Sequence, residues 1–353
     1  MGKLAKLREA LEANNLDALL VTSPVNRQYI TGFTGTAGAV IIGRNSARFL
    51  TDFRYIEQAQ EQAEGFQVIE HKQPIEKEIR DQLKDMAVSR IGFEKNHVTF
   101  SQYEIYKQVF EAELVPVGGL IEEIRLVKDN RELEIMKQAA RIADEAFEHI
   151  QRYIKPGVKE IEVSNELEFF MRKQGAVSSS FDIIVASGKR SALPHGVASE
   201  KEIQSGELIT LDYGAFYQGY CSDITRTLAV GEVSDQLMAI YNTVLNAQQR
   251  GLDGIKPGVT CKEADALTRD YIKENGYGDY FGHSTGHGLG MEVHEGPALS
   301  MRSERRLEAG MVVTVEPGIY VPGVGGCRIE DDIVITDTGM ERLTHASKEL
   351  ITL

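Results

Sequence analysis

Between residues 17 and 95 the chain alternates short apolar, β-branched runs with stretches whose apolar positions recur every three or four residues. DALLVT (17–22), AGAVIIG (37–43), ARFLTD (47–52), FQVIEH (66–71) and SRIGFEK (89–95) carry the period and composition of strands. Residues 3–14, 54–64, 75–86 and 101–113 carry the period of helices. The alternation predicts an α/β domain with a mixed sheet over residues 1–124. Its glycine-rich stretch, Gly32 to Gly38, lacks a following Lys-Ser/Thr, and the domain has no GxGxxG, so neither a phosphate loop nor a dinucleotide fingerprint is supported.

The pattern changes near residues 124–130, which places a second domain at 125–353. Asp129, with Glu132 three residues on, marks a helix start. An apolar stripe through Met136, Ala139, Ala143, Phe147 and Ile150 continues that helix. From here the chain repeats itself. IKPGV stands at 154–158 and again at 255–259, each copy after an amphipathic helix and before a second helix that ends at Gly175 or Gly276. ITLDYG (209–214) is echoed by VTVEPG (313–318). A repeat of this length means a duplicated unit, helix–turn–helix–strands, folded into one α+β domain with pseudo-two-fold symmetry.

Composition narrows the function classes. A length of 353 residues exceeds what one core supports. A net charge of −14 disfavours nucleic acid and anionic membrane as partners. No apolar run is long enough to span a membrane, and the charged amphipathic N-terminus lacks a signal-peptide centre, so a cytoplasmic location is expected. Three cysteines without CxxC spacing fit a reducing compartment.

Chemistry concentrates on acids inside apolar strands. Asp212 interrupts ELITLDYG and Asp223 sits in CSDITRTLAV; in the second copy Glu316 follows MVVTV and Glu330 sits in CRIEDDIVIT. A carboxylate buried in a strand is costly unless paired or metal-bound, and four converging carboxylates repel one another. Bound cations resolve both problems. FGHSTGHGLGMEVHEGP (281–297) adds His283, His287 and His294 among five glycines, a density that predicts close backbone approach. Four carboxylates with one or two histidines suffice for two divalent metals. The oxygen-rich donors make Mn²⁺ the first choice, with Co²⁺, Zn²⁺ or Fe²⁺ as alternatives.

These residues resemble the pita-bread metallopeptidases, the family of methionine aminopeptidase, aminopeptidase P and prolidase, whose ligands run Asp, Asp, His, Glu, Glu. They map onto Asp212, Asp223, His287, Glu316 and Glu330. The resemblance covers essentially the whole chain. It implies an α/β N-terminal domain of the creatinase/prolidase type and a pita-bread catalytic domain, as in the Xaa-Pro-cleaving branch. That branch's accessory histidines match His195, His283 and His294; Arg328 matches as well, and Tyr320 is a candidate for the outer shell of the cluster. Glu316 is expected both to ligate metal and to relay a proton. His195 and His294 are expected at the substrate carbonyl, and His283 at the pocket wall. The implied activity is hydrolysis of the bond between a first residue and proline, by a homodimer. Some prolidases carry an arginine shortly after the residue matching His294; here Ala298 stands there and Arg302 lies farther on. On that departure the sequence favours an Xaa-Pro aminopeptidase, with an Xaa-Pro dipeptidase (prolidase) as the alternative. A non-catalytic pita-bread binding protein and a creatinase-like amidinohydrolase are disfavoured by the intact ligand set.

Overall fold

The computed structural model describes residues 2–353. The chain divides into two compact units, Met1–Arg125 and Leu126–Leu353. The first is built on six strands: β1 (Ala18–Val21), β2 (Ala39–Gly43), β3 (Ala47–Thr51), β4 (Gln67–Glu70), β5 (Arg90–Glu94) and β6 (Glu113–Val117). Their order is β4-β3-β2-β1-β5-β6, with β1 antiparallel to β2 and parallel to β5, so the sheet is mixed. The fourth predicted helix pattern, 101–113, stops early, at Val109, and β6 lies where the sequence pattern gives no strand. β6 contains Pro116 but lies at the sheet edge, where a missing N–H costs no ladder bond. A further helix, Pro24–Thr31, was also unforeseen; Ser23 caps it and proline occupies its first turn.

The second unit is the duplicated one. Its first half runs through helices Asn130–Ile150 and Glu160–Lys173, then β7 (Ser178–Ser179), β8 (Ile184–Ser187), β9 (Glu207–Tyr213), β10 (Ala215–Tyr217), β11 (Tyr220–Cys221) and β12 (Ile224–Val230). Its second half runs through helices Asp235–Gly254 and Cys261–Glu274, then β13 (Gly286–Gly288), β14 (Glu295–Leu299), β15 (Val312–Val315), β16 (Gly318–Val321), β17 (Gly325–Arg328), β18 (Asp331–Ile335) and β19 (Met340–Arg342). The sheets correspond: β12-β9-β8 in one half, β18-β15-β13 in the other, flanked there by β14 and β19. The Asp129–Glu132 capping box is formed, both hydrogen bonds being 2.9 Å. In the repeated IKPGV turns, Gly157 and Gly258 both take left-handed φ, 90° and 87°, and donate to equivalent carbonyls, Ile203 and Leu307.

Each half has its own apolar core. Ile142, Phe147, Val163, Leu167, Ile209 and Leu211 pack together in the first; Leu252, Ala264, Val313, Val315 and Ile333 in the second. Where the sequence suggested unbroken strands around two acids, the ladder lapses. Asp223 stands between β11 and β12, and Glu330 between β17 and β18, at corresponding places in the two halves.

Candidate metal centre

Asp212 lies in β9 opposite Thr225 of β12, so Asp223, two residues before Thr225, shares its face of the sheet. Glu316 follows β15, its backbone N–H donating to Thr285 at 2.8 Å. His287 is the middle residue of β13. These elements bring all five candidate ligands to one cleft of about 470 Å³, which His195, His283, His294 and Arg328 also line.

The glycines around His287 serve a tighter purpose than exposure to the cleft. A Cβ on Gly286 would lie 1.9 Å from the Thr314 carbonyl oxygen, and one on Gly288 1.8 Å from that of Gly296. Bare backbone is what lets β13 fit between β14 and β15, with the imidazole turned to the acids.

One ligand-capable atom from each of Asp223, His287 and Glu330 lies within 4.8 Å of the others. His287 Nε2 is 3.3 Å from Glu316 Oε1 and 3.7 Å from Asp223 Oδ2. The ring's Nδ1 contacts the Gly288 carbonyl at 3.1 Å; a carbonyl only accepts, so Nδ1 carries the proton and Nε2 offers a lone pair. Asp223 Oδ1 is buried and takes no hydrogen bond. Burial, then the charge of Glu330, Asp212, Asp332 and Glu316, pushes the Asp223 carboxyl well above the usual range. Burial and the neighbouring Glu316 and Asp212 raise Glu330 in the same direction. Burial pushes Glu316 up to about 8, against the opposing effect of Arg328. A neutral imidazole, a buried oxygen without a donor and mutually repelling acids form a donor set that fits divalent cations.

Around this cage runs a second set of contacts. Arg328 Nη2 donates to Asp212 Oδ2, its Nη1 to Tyr320 Oη at 2.7 Å and to the Pro194 carbonyl at 3.2 Å, and its Nε to Thr225 Oγ1 at 3.1 Å. Arg328 therefore reaches Asp212 in the other half, not the Glu330 or Asp332 near it in sequence. Tyr320, placed at the outer shell from sequence, lies 2.8 Å from His283 Nε2. His283 Nδ1 donates to the Ser284 carbonyl, leaving Nε2 to accept from the tyrosine. Burial and Arg328 lower His283 to about 4, so it is neutral at neutral pH. His294 stacks edge-on against His287, ring centroids 4.5 Å apart, and is lowered by burial and by His287. His195 lies exposed in a turn at the cleft wall, between β8 and β9.

Several contributors escaped the sequence reading. Thr314 accepts from the His287 N–H and donates to Glu316 Oε1, both at 3.1 Å. Asp265 and Arg269, one helical turn apart, hold the Thr285 N–H and the His283 carbonyl. Thr314 stands two residues before Glu316, on the same strand face, and only that spacing hinted at it.

A duplicated α+β domain with acids from both halves around one imidazole defines a metallohydrolase of the pita-bread class. The chain belongs to metallopeptidase family M24, whose model matches residues 134–337. The Creatinase/Prolidase N-terminal domain matches residues 3–127. A solved Xaa-Pro dipeptidase from Bacillus anthracis is 59% identical, with 99% of each chain covered and a TM-score of 0.99. The Xaa-Pro dipeptidase of Pyrococcus furiosus is 41% identical over 99% of both chains. An X-Pro aminopeptidase structure from Thermotoga maritima is 40% identical, covering 96% of this chain and 98% of that one, with a TM-score of 0.92. No helix among the described residues is long and apolar enough to cross a membrane.

Proposed function

We propose that the chain is an Xaa-Pro dipeptidase that hydrolyses dipeptides with proline in the second position. The observation that carries the proposal is the name of the Bacillus anthracis relative, 59% identical along nearly the whole chain. The sequence-based preference for an Xaa-Pro aminopeptidase rested on the missing arginine at Ala298. Ala298 lies exposed on β14 and does not line the cleft, so its identity has little weight at the site. The aminopeptidase stays as the second reading because the Thermotoga maritima relative carries that name.

Asp212, Asp223, His287, Glu316 and Glu330 would hold two divalent ions, Mn²⁺ first among the candidates. The ions would supply Lewis acidity and a water activated at neutral pH. Glu316, held by Thr314 Oγ1, takes the proton of the attacking water and passes it to the leaving proline nitrogen. His195 and His294 face the substrate carbonyl as donors for the developing oxyanion. His283 is kept neutral, and with Tyr320 it braces Arg328 against Asp212. The homodimer implied by the resemblance belongs to the same reading.

The test compares Ala-Pro with Ala-Pro-Ala at equal Mn²⁺. Ala-Pro should be preferred by a factor of about 100 or more in kcat/KM. Equal or faster cleavage of the tripeptide would return the reading to the aminopeptidase, and cleavage of neither would remove both.

A further inference from the structure

We propose that Glu160 is a positioning residue for His195, closing the loop that presents this histidine to the cleft; the inference rests on the peptidase reading for what His195 does there. Glu160 is the first residue of helix Glu160–Lys173 and is fully buried, about as far from solvent as a carboxylate gets. Its two oxygens take five hydrogen bonds. Oε1 accepts from the Ser187 N–H at 2.8 Å and the Ser187 hydroxyl at 2.9 Å. Oε2 accepts from Arg190 Nε at 2.9 Å, the Ser199 hydroxyl at 2.6 Å and the Ser199 N–H at 3.2 Å. Ser187 ends β8, and Ser199 follows the turn that bears His195. One side chain therefore ties the two ends of loop 187–199 at a single point.

Other contacts hold the same loop: a bridge pairs Ile184 with Val197, and Lys201 Nζ donates to Ser187 Oγ at 2.7 Å. Arg190, oriented by Glu160, donates its Nη2 to the Val197 carbonyl at 2.7 Å, two residues past His195. Ser191 Oγ accepts from the Gly326 N–H at 2.8 Å, and Arg328 reaches the Pro194 carbonyl. The loop is thus pinned on one side to a helix terminus and on the other to the strand preceding Glu330. The His195 side chain makes no hydrogen bond to another described residue, so its place at the cleft is set by the backbone that carries it. Charge-assisted bonds to a buried carboxylate hold geometry more firmly than neutral ones. An amide in its place would keep the shape, lose the charge and turn an N–H₂ toward groups that themselves donate.

The test uses the full-length protein and the variants Glu160→Gln and Ser199→Ala, the second removing one donor and leaving the carboxylate in place. Amide hydrogen exchange in residues 188–198 should rise about tenfold in Glu160→Gln, and less in Ser199→Ala, while residues 209–213 keep their protection. In the Mn²⁺-loaded enzyme, kcat for Ala-Pro should fall about 10-fold in Glu160→Gln with bound metal unchanged. Glu160→Gln combined with His195→Ala should be no slower than His195→Ala alone, because the glutamate acts through the histidine. Unchanged exchange in loop 188–198 in both variants, or losses that simply multiply in the double variant, would overturn the proposal. If Glu160→Gln does not fold, Ser199→Ala decides on the same two readouts. A wild-type protein that leaves Ala-Pro intact would sink the peptidase reading, while the exchange result would still decide whether Glu160 closes the loop.

Discussion

Thr225 donates a hydrogen bond to Glu330 Oε2 at 2.6 Å, from one half of the duplicated domain to the other. Two residues before Thr225, the Asp223 N–H donates at 2.8 Å to Asp332, which stands two residues after Glu330. The Glu330 N–H returns to the Thr225 carbonyl at 3.1 Å. The two lapses in strand pairing therefore face each other, and each half uses the other to satisfy the groups its own ladder leaves unpaired.

Thr225→Val keeps the shape and removes both the donor to Glu330 and the acceptor for Arg328 Nε. Contacts of this kind orient ligands, and their loss should weaken Mn²⁺ binding about 10- to 100-fold. Calorimetric titration of the metal-free protein reads this directly; unchanged affinity would mean the threonine only packs.

Glu316→Gln should retain metal through the other ligands but lose the proton acceptor. Turnover should fall by about 10²–10⁴ with metal content near wild type. A kcat within about twofold of wild type would take Glu316 out of the proton relay.

The raised carboxyls give the metal-free protein a definite pH response. Glu316 is held at about 8 against an ordinary 4.5, so it binds its proton more tightly folded than unfolded. Stability from such a group is complete below the ordinary carboxylate range and is lost as pH climbs through about 8. The buried histidines are shifted downward, so their effect is confined to pH below their ordinary 6.5. Between about pH 7 and 9 the Tm of EDTA-treated protein should fall more steeply for wild type than for Glu316→Gln, which has nothing to ionise there. Mn²⁺ should reverse the wild-type fall, since it stabilises the ionised ligands. Parallel curves for the two proteins would contradict the raised value.

On the far side of the sheet Arg226 and Asp331 form a fully buried pair at 2.7 Å, which Lys348 joins at 2.7 Å. Arg226 also donates to the carbonyls of Glu330, Thr225 and Ala346. Arg226→Leu removes the guanidinium partner of a buried carboxylate that keeps Lys348, Gln248 and Thr344, and takes a donor from the carbonyls of Glu330, Ala346 and Ser347; it should cost about 3–5 kcal/mol in urea unfolding. A loss below about 1 kcal/mol would show that Lys348 suffices.

Much of this site could be read from the chain because a duplication writes its signal twice. Asp212 and Glu316 both follow an apolar run, and the IKPGV turns need glycine in both copies. The lapses at Asp223 and Glu330 were hidden because β12 and β18 are buried on both faces, which erases the alternation that would mark a break. The roles of Thr225 and Asp332 are invisible in the sequence because their partners lie in other elements, and for Thr225–Glu330 the gap is 105 residues. Glu160 stands in the first turn of its helix, where acids are common on exposed faces, and nothing local says that it faces inward. Arg328 was picked from resemblance, yet its partner in the opposite half was legible only in three dimensions.

Since the facing lapses belong to different halves, neither half holds more than part of the cage. Expressed apart, 126–231 and 232–353 would each bring two acids, and only the second would bring His287. On the proposed ligand set, metal retention would therefore gauge how well the seam is closed: a change that pries Thr225 from Glu330 is expected to release metal at a cost too small to unfold the domain.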